Sequence, residues 1–220
     1  MIKHVAILIA AALAGEAAAA PGAGPPTGEV TGTVVVKGKR KSGGVLVYLE
    51  SVAAAATPPP TDHAVIRQRE KQFDPPVTIV VRGTTVDFPN EDKVFHNVFS
   101  VSRPARFDLG LYKSGTTKSV EMKRAGTVDV YCNIHPDMVA KVKVLENGYY
   151  TITDDSGRFR ISGVPEGDFP IVAWLPTGDY AAGTATVKTG QPVELRLEIT
   201  ATAHKESHTR KDGTPYGRYK

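Results

Sequence analysis

The sequence predicts an all-β protein, a sandwich rather than a helical bundle or an α/β sheet. Short runs rich in Val, Ile, Thr and aromatic residues recur through the chain, and Gly, Pro and Asp turns separate them. No stretch of useful length places its apolar residues at helical spacing. Short strands at such regular intervals are the pattern of two packed antiparallel sheets. With 220 residues, the chain has room for one large domain or two small ones.

Taken in order, the first element is a signal peptide over residues 1–20. Lys3 and His4 give a short polar start, Val5 to Leu13 an apolar stretch, and Ala17 to Ala20 small residues for cleavage. The apolar stretch is shorter than the ~20 residues that span a bilayer, and no later run approaches that length. The mature chain is therefore expected to be periplasmic or otherwise exported, soluble, and without an integral membrane segment.

Expected strands follow at Thr31–Val36 and Val45–Leu49, ahead of a linker at Ala53–Pro60. Beyond it come Val77–Val81, Val94–Phe99, Thr127–Cys132 and Ala140–Leu145. A turn at Glu146-Asn147-Gly148 then leads to Arg158–Ile161, Phe169–Trp174 and Val193–Ile199. The last segment, 201–220, is polar and aperiodic, with five basic residues against two acidic ones, and is expected to be a disordered basic tail. Most of the net charge of +4 resides there, which leaves the folded part nearly neutral. No basic stripe interleaved with aromatics is present, which argues against nucleic acid as a partner.

The chemistry gathers in Tyr131-Cys132-Asn133-Ile134-His135-Pro136-Asp137-Met138, where Cys, His and Met fall at C-x2-H-x2-M. Val128, Val130 and Cys132 alternate onto one apolar face, so the thiol points inward at the end of its strand. The loop that follows delivers His135 and Met138. Upstream, Val94, His96 and Val98 share a face and offer a second imidazole. Thiolate, imidazole and thioether together suit copper, and two histidines with a cysteine and a long axial methionine make an electron-transfer site. The chain has one cysteine. In an exported protein it is a free thiol, an intermolecular link or a metal ligand.

Each residue also has a plainer reading. His96 alone fits a satisfied core histidine, and Met138 a gap-filler. Asp154, Asp155 and Gly157 fit a hairpin turn better than a calcium loop, which needs six or more oxygens. His204 and His208 lie i, i+4 in a polar tail and read as surface residues, and His63 has no evident partner. A nucleophilic Cys132–His135 pair lacks an orienting group and gives Met138 no role.

These residues resemble the cupredoxin family, with the loop spacing nearest the amicyanin type; His96-Asn97, Gly126 and Tyr131 fit the same pattern. The resemblance covers Ala64 to Glu146, within an expected domain at 62–146. It implies a Greek-key sandwich holding one copper per chain on His96, Cys132 and His135, with Met138 as weak axial ligand. Asn97 would sit in the outer shell, its backbone amide near the sulfur and its side chain tying the two ligand loops together. The implied function is one-electron transfer without enzyme activity, with a redox protein such as a cytochrome or a dehydrogenase as partner. A copper carrier or delivery protein, and an interaction module with a copper domain, are the alternatives.

The outer segments resemble a different family. Gly28-Glu29-Val30-Thr31-Gly32-Thr33-Val34, Gly43 to Leu49, Thr153 to Phe159 and Gly163 to Phe169 are similar to parts of a carboxypeptidase-regulatory-like, transthyretin-type module. Two front strands cannot bury a core alone. The two pieces, 27–57 and 148–200, are expected to form one discontinuous sandwich with the cupredoxin inserted between them; a tandem arrangement is the alternative.

Overall fold

The structure is a computed structural model that describes residues 27–52, 61–202 and 208–216. The expected signal peptide, the Ala53–Pro60 linker and His204 lie outside the described residues. Those described are all-β, with seventeen strands numbered in chain order and no helix long and apolar enough to cross a membrane.

Two sheets enclose a first core. In one, β1 (Thr27–Lys37) lies between β14 (Arg158–Pro165), antiparallel, and β17 (Val193–Thr200), parallel. In the other, β2 (Leu46–Leu49) lies between β13 (Tyr150–Ile152) and β15 (Gly167–Trp174), and β16 (Tyr180–Val187) completes the far edge. The strands before the linker thus pair with strands from Tyr150 onward. Alternation along β1 sends Val30, Val34 and Val36 inward, against Phe159, Ile161, Ile171 and Leu197. Gly32 is required here, because a Cβ at that position would collide with the Leu195 carbonyl oxygen.

A second core lies between two further sheets. One orders β10 (Thr117–Glu121), β7 (Thr85–Pro89) and β3 (Ala64–Val65). The other orders β6 (Val77–Val81), β12 (Val139–Leu145), β11 (Gly126–Cys132), β8 (His96–Ser100) and β9 (Phe107–Tyr112). A small hairpin of β4 (Arg67–Arg69) and β5 (Gln72–Asp74) stands beside them. Val128, Val130 and Cys132 on β11 and Val142 on β12 are fully buried, and Val144 on β12 nearly so, as alternation requires.

The expected strands are present with shifted ends. The largest shift concerns Val94–Phe99, which begins only at His96; Val94 and Phe95 are exposed in the preceding loop and do not share the inward face of His96. Eight strands are not among those expected. Of these, β3, β4, β5 and β13 are only two or three residues long. The others, β7, β9, β10 and β16, carry Asp, Gly, Pro, Lys or runs of Ala, which lower β propensity, and only pairing with neighbours makes them strands.

A third apolar cluster joins the outer faces of the two sheet systems. Leu46, Tyr48, Val172 and Trp174 from one side meet Leu145, Val77 and Ile79 from the other. Lys143, which alternates with Val142 and Val144 and so points to the opposite face of β12, is 9% exposed because the other sandwich covers that face. Its ammonium lies 5.1 Å from the ring centres of both Tyr48 and Trp174.

Candidate metal centre

Three segments converge at one end of the second core. Strand β11 ends at Cys132, which pairs with Val98 on β8, and β8 starts at His96. The turn from β11 to β12 carries His135 and Met138, closed by hydrogen bonds from Met138 N to the His135 carbonyl (3.2 Å) and from Cys132 N to the Met138 carbonyl (3.3 Å). Cys132, His96 and Met138 are fully buried, and His135 is partly exposed.

The donor atoms form a compact triangle. His96 Nδ1 and His135 Nδ1 are 3.1 Å apart, and Cys132 Sγ lies 3.7 Å from the first and 3.5 Å from the second. These three residues form a metal-capable cluster, the one such group among the described residues. A circle through the three atoms has a radius of about 2.0 Å, close to first-row metal–nitrogen distances and slightly short of metal–sulfur ones. The arrangement therefore fits a trigonal ion with little adjustment. Met138 belongs to the same buried cluster as Cys132, on the core side of the loop.

The supports of His96 explain its orientation. Its Nε2 donates to Asp92 Oδ2 at 2.8 Å, which leaves Nδ1 as the lone-pair nitrogen that faces the cluster. Asp92 also accepts from Glu70 N (2.6 Å) and Lys71 N (2.9 Å), the two left-handed residues at the tip of the β4–β5 hairpin. Burial works to raise the pKa of Asp92, but the hydrogen bonds from Lys71 N, His96 and Glu70 N together hold it below the usual carboxylate value. Asn90 shapes the same loop: its side chain donates to the Val94 carbonyl (2.8 Å) and the Tyr112 carbonyl (3.2 Å) and accepts from Asp92 N (3.0 Å). For His135, burial first, then the neighbouring His96 and Lys71, lowers the pKa. The neutral imidazole, which is the ligating form, is favoured.

Asn97 differs in detail from the role the resemblance implied. Its side chain donates to Asp108 Oδ1 at 2.7 Å, not to the Cys132 loop. Its backbone carbonyl makes the link instead, accepting from Asn133 N at 2.9 Å. His63 has a partner after all, with Nδ1 3.0 Å from Asp87 Oδ2. Asp154 Oδ1 accepts from Ser156 N and Arg158 N, each at 2.9 Å, as a hairpin-turn residue does.

Sequence reasoning missed the C-terminal contribution. Residues 208–216, expected to belong to a disordered tail with His208 at the surface, lie against the loop from Cys132 to Met138, with the His208 and Tyr131 ring centres stacked 4.1 Å apart. The signal was His208 and Tyr216 in an otherwise polar tail, which composition alone cannot distinguish from surface residues.

No family model and no curated protein matches the chain. Among solved structures it is similar to an amicyanin variant in the Cu(I) form, with 28% identity over 44% of this chain and 97% of that one, at a TM-score of 0.36. It is also similar to a purple cupredoxin from Nitrosopumilus maritimus, with 25% identity over 37% of this chain and 98% of that one, at a TM-score of 0.34. A copper-containing nitrite reductase from Thermus scotoductus shows 23% identity over 44% of this chain and 27% of that one, at a TM-score of 0.38.

Proposed function

We propose that the protein is an exported one-electron carrier with a single type 1 copper, held by His96, Cys132 and His135 with Met138 in the axial position. The observation that carries this reading is the donor triangle: one thiolate and two imidazole nitrogens already converge at metal-binding distance on a buried, largely apolar floor. Copper bound there supplies a one-electron couple between Cu(II) and Cu(I). The protein's part is to hold the donors still. Asp92 fixes the tautomer of His96, β11 fixes Cys132, and the buried wall of Val98, Val130 and Met138 excludes water from the thiolate. His135 is the most exposed of the three donors, which makes its ring edge the port through which a redox partner, a cytochrome or a dehydrogenase, exchanges electrons.

A carrier is favoured over a copper reductase, which would need a second metal site. Apart from His96 and His135, the described histidines are engaged elsewhere: His63 with Asp87, and His208 with Tyr131 and Pro136. The same reading takes 62–146 as a copper domain inserted into a carboxypeptidase-regulatory-like sandwich of 27–57 and 148–200. The pairing of β2 with β13 and β15 supports the insertion.

The test is to load the purified mature protein with copper. One copper per chain and an intense thiolate-to-copper absorption, lost on reduction and regained on oxidation, are expected; Cys132→Ser should abolish the colour. A wild-type protein that binds copper without that absorption would sink the type 1 assignment. A copper-delivery role predicts instead fast release of Cu(I) to an acceptor and negligible electron self-exchange.

A further inference from the structure

The described part of the C-terminal segment, 208–216, folds back on itself in a turn at Gly213, closed by hydrogen bonds from Gly213 N to the Arg210 carbonyl and from Arg210 N to the Thr214 carbonyl, both 2.9 Å. This unit meets the loop that carries Cys132, His135 and Met138 at four points. The Tyr216 hydroxyl donates to the Cys132 carbonyl at 2.6 Å. His208 Nε2 donates to the Pro136 carbonyl at 2.8 Å, while its ring stacks on Tyr131 with the planes 17° apart. Lys211 N donates to Asn133 Oδ1 at 2.9 Å.

Lys211 closes a ring of hydrogen bonds around the site. Its ammonium lies 2.5 Å from Asp108 Oδ2, and Asp108 Oδ1 accepts from the Asn97 side chain. The Asn97 carbonyl accepts from Asn133 N, and the Asn133 side chain returns to Lys211 N. The circuit therefore runs through the residue after His96 and the residue after Cys132. Both ligand-bearing segments are fastened to the tail.

We propose that residues 208–216 form a strap that positions the copper loop, with Tyr216, His208 and Lys211 as positioning residues for electron carriage. This rests on the copper reading of the His96–Cys132–His135 cluster. The buried core holds that loop from below, with Met138 of the loop packed in the same cluster as Val98 and Val130. On its outer side the strap supplies fixed donors to the carbonyls of Cys132 and Pro136 and to the side-chain oxygen of Asn133. Donors locked by such outer contacts keep their geometry when the charge on the metal changes, and they release the metal slowly.

The experiment uses the full-length chain loaded with one equivalent of copper, as wild type, Tyr216→Phe, His208→Ala, His208→Phe and the triple variant Tyr216→Phe/His208→Ala/Lys211→Ala. Three quantities are read: the release rate of Cu(I) to bathocuproine disulfonate, the reduction potential, and the electron self-exchange rate. All variants should keep the thiolate-to-copper colour, since none removes a ligand. Tyr216→Phe should release copper about fivefold faster, the worth of one ordinary hydrogen bond. The triple variant should release it at least tenfold faster, with a displaced reduction potential and slower self-exchange. His208→Phe should restore the stack on Tyr131 and recover part of what His208→Ala loses.

A triple variant with wild-type release, potential and self-exchange would overturn the strap. A wild-type chain that takes up copper without the colour would instead overturn the copper reading itself, whatever the tail variants do. Thermal unfolding of each variant, followed at Trp174 in the cluster between the sandwiches, separates loss of fold from loss of positioning.

Discussion

The two sandwiches bury polar groups for different ends. In the first, the core is made of Val, Leu, Ile, Phe and Ala, and its buried polar side chains secure turns at the rim. Thr153 donates to the Ser42 carbonyl and accepts from Val45 N, and Asn147 donates to the Leu49 carbonyl. In the second, Gln68, Asn90, His96 and Asn97 are buried together with Cys132 and Met138. Asn90, His96 and Asn97 gather near the end that carries the cluster. Burying polar groups costs stability unless every partner is supplied. One sandwich spends its interior on packing alone, whereas the other gives up apolar volume to hold donors in place.

The sharpest way to break this contrast is to damage the packing sandwich and watch the metal. Ile171 is fully buried in the first core, and Ile171→Ala should cost roughly 2–5 kcal/mol of stability. The copper absorption of the folded protein should not change. Denaturant unfolding together with visible spectroscopy checks both, and an altered spectrum at full fold would show that the first sandwich shapes the site.

The reverse experiment changes the site and spares the packing. Asp92→Ala removes the acceptor of His96 Nε2 and of two backbone N–H groups at the hairpin tip. Loss of such an outer partner should weaken copper affinity about 10–100-fold. Competition with a chelator measures it. An unchanged affinity would mean that packing alone orients His96.

A smaller effect is expected at Met138, which is buried with Cys132 and would be the weak axial ligand of the proposed site. Met138→Leu conserves volume, so stability should change by less than about 1.5 kcal/mol. Copper should stay bound and the reduction potential should move, as voltammetry would report. Complete loss of copper would promote Met138 to a primary ligand.

Much of this was readable from the chain because the signals were local. The alternation of Val128, Val130 and Cys132, and the spacing from Cys132 to Met138, state which side chains face inward and in what order. His96 was readable as a candidate ligand only alongside the downstream loop. What remained hidden depends on residues distant in sequence. Asp92 is one of many acids until the hairpin at Glu70 and Lys71 closes on it. Tyr216 is 84 positions from Cys132, and nothing in a polar tail announces that contact. Strands such as Tyr180–Val187, rich in Ala and Gly, become strands through the neighbour that pairs with them, here β15. Lys143 shows the limit of alternation: the period gave its face correctly, but not the second sandwich that covers that face.

That lysine offers the finest test of how independent the two sandwiches are. Burial pushes the pKa of Lys143 below its ordinary value of 10.5, and the charge of Glu50 opposes the shift only in part. A base whose pKa is lowered on folding binds fewer protons in the folded state than in the unfolded one. Between its folded and unfolded pKa values, stability therefore rises with pH. The two rings at 5.1 Å offset part of the burial cost at neutral pH. Lys143→Met keeps an unbranched side chain, one atom shorter, and removes the charge. Stability at pH 7 should then change by no more than about 1 kcal/mol, because the lost cation–π attraction and the lost desolvation cost nearly cancel. Relative to wild type, the variant should lose ground as pH climbs toward the ordinary lysine range, since it lacks this rise. Denaturant midpoints measured across that range would show it, with the copper absorption unchanged throughout. A drop of several kcal/mol at pH 7 would mean that the ammonium clamps the sandwiches together, and a shifted copper spectrum would mean that the clamp reaches the metal centre through β12.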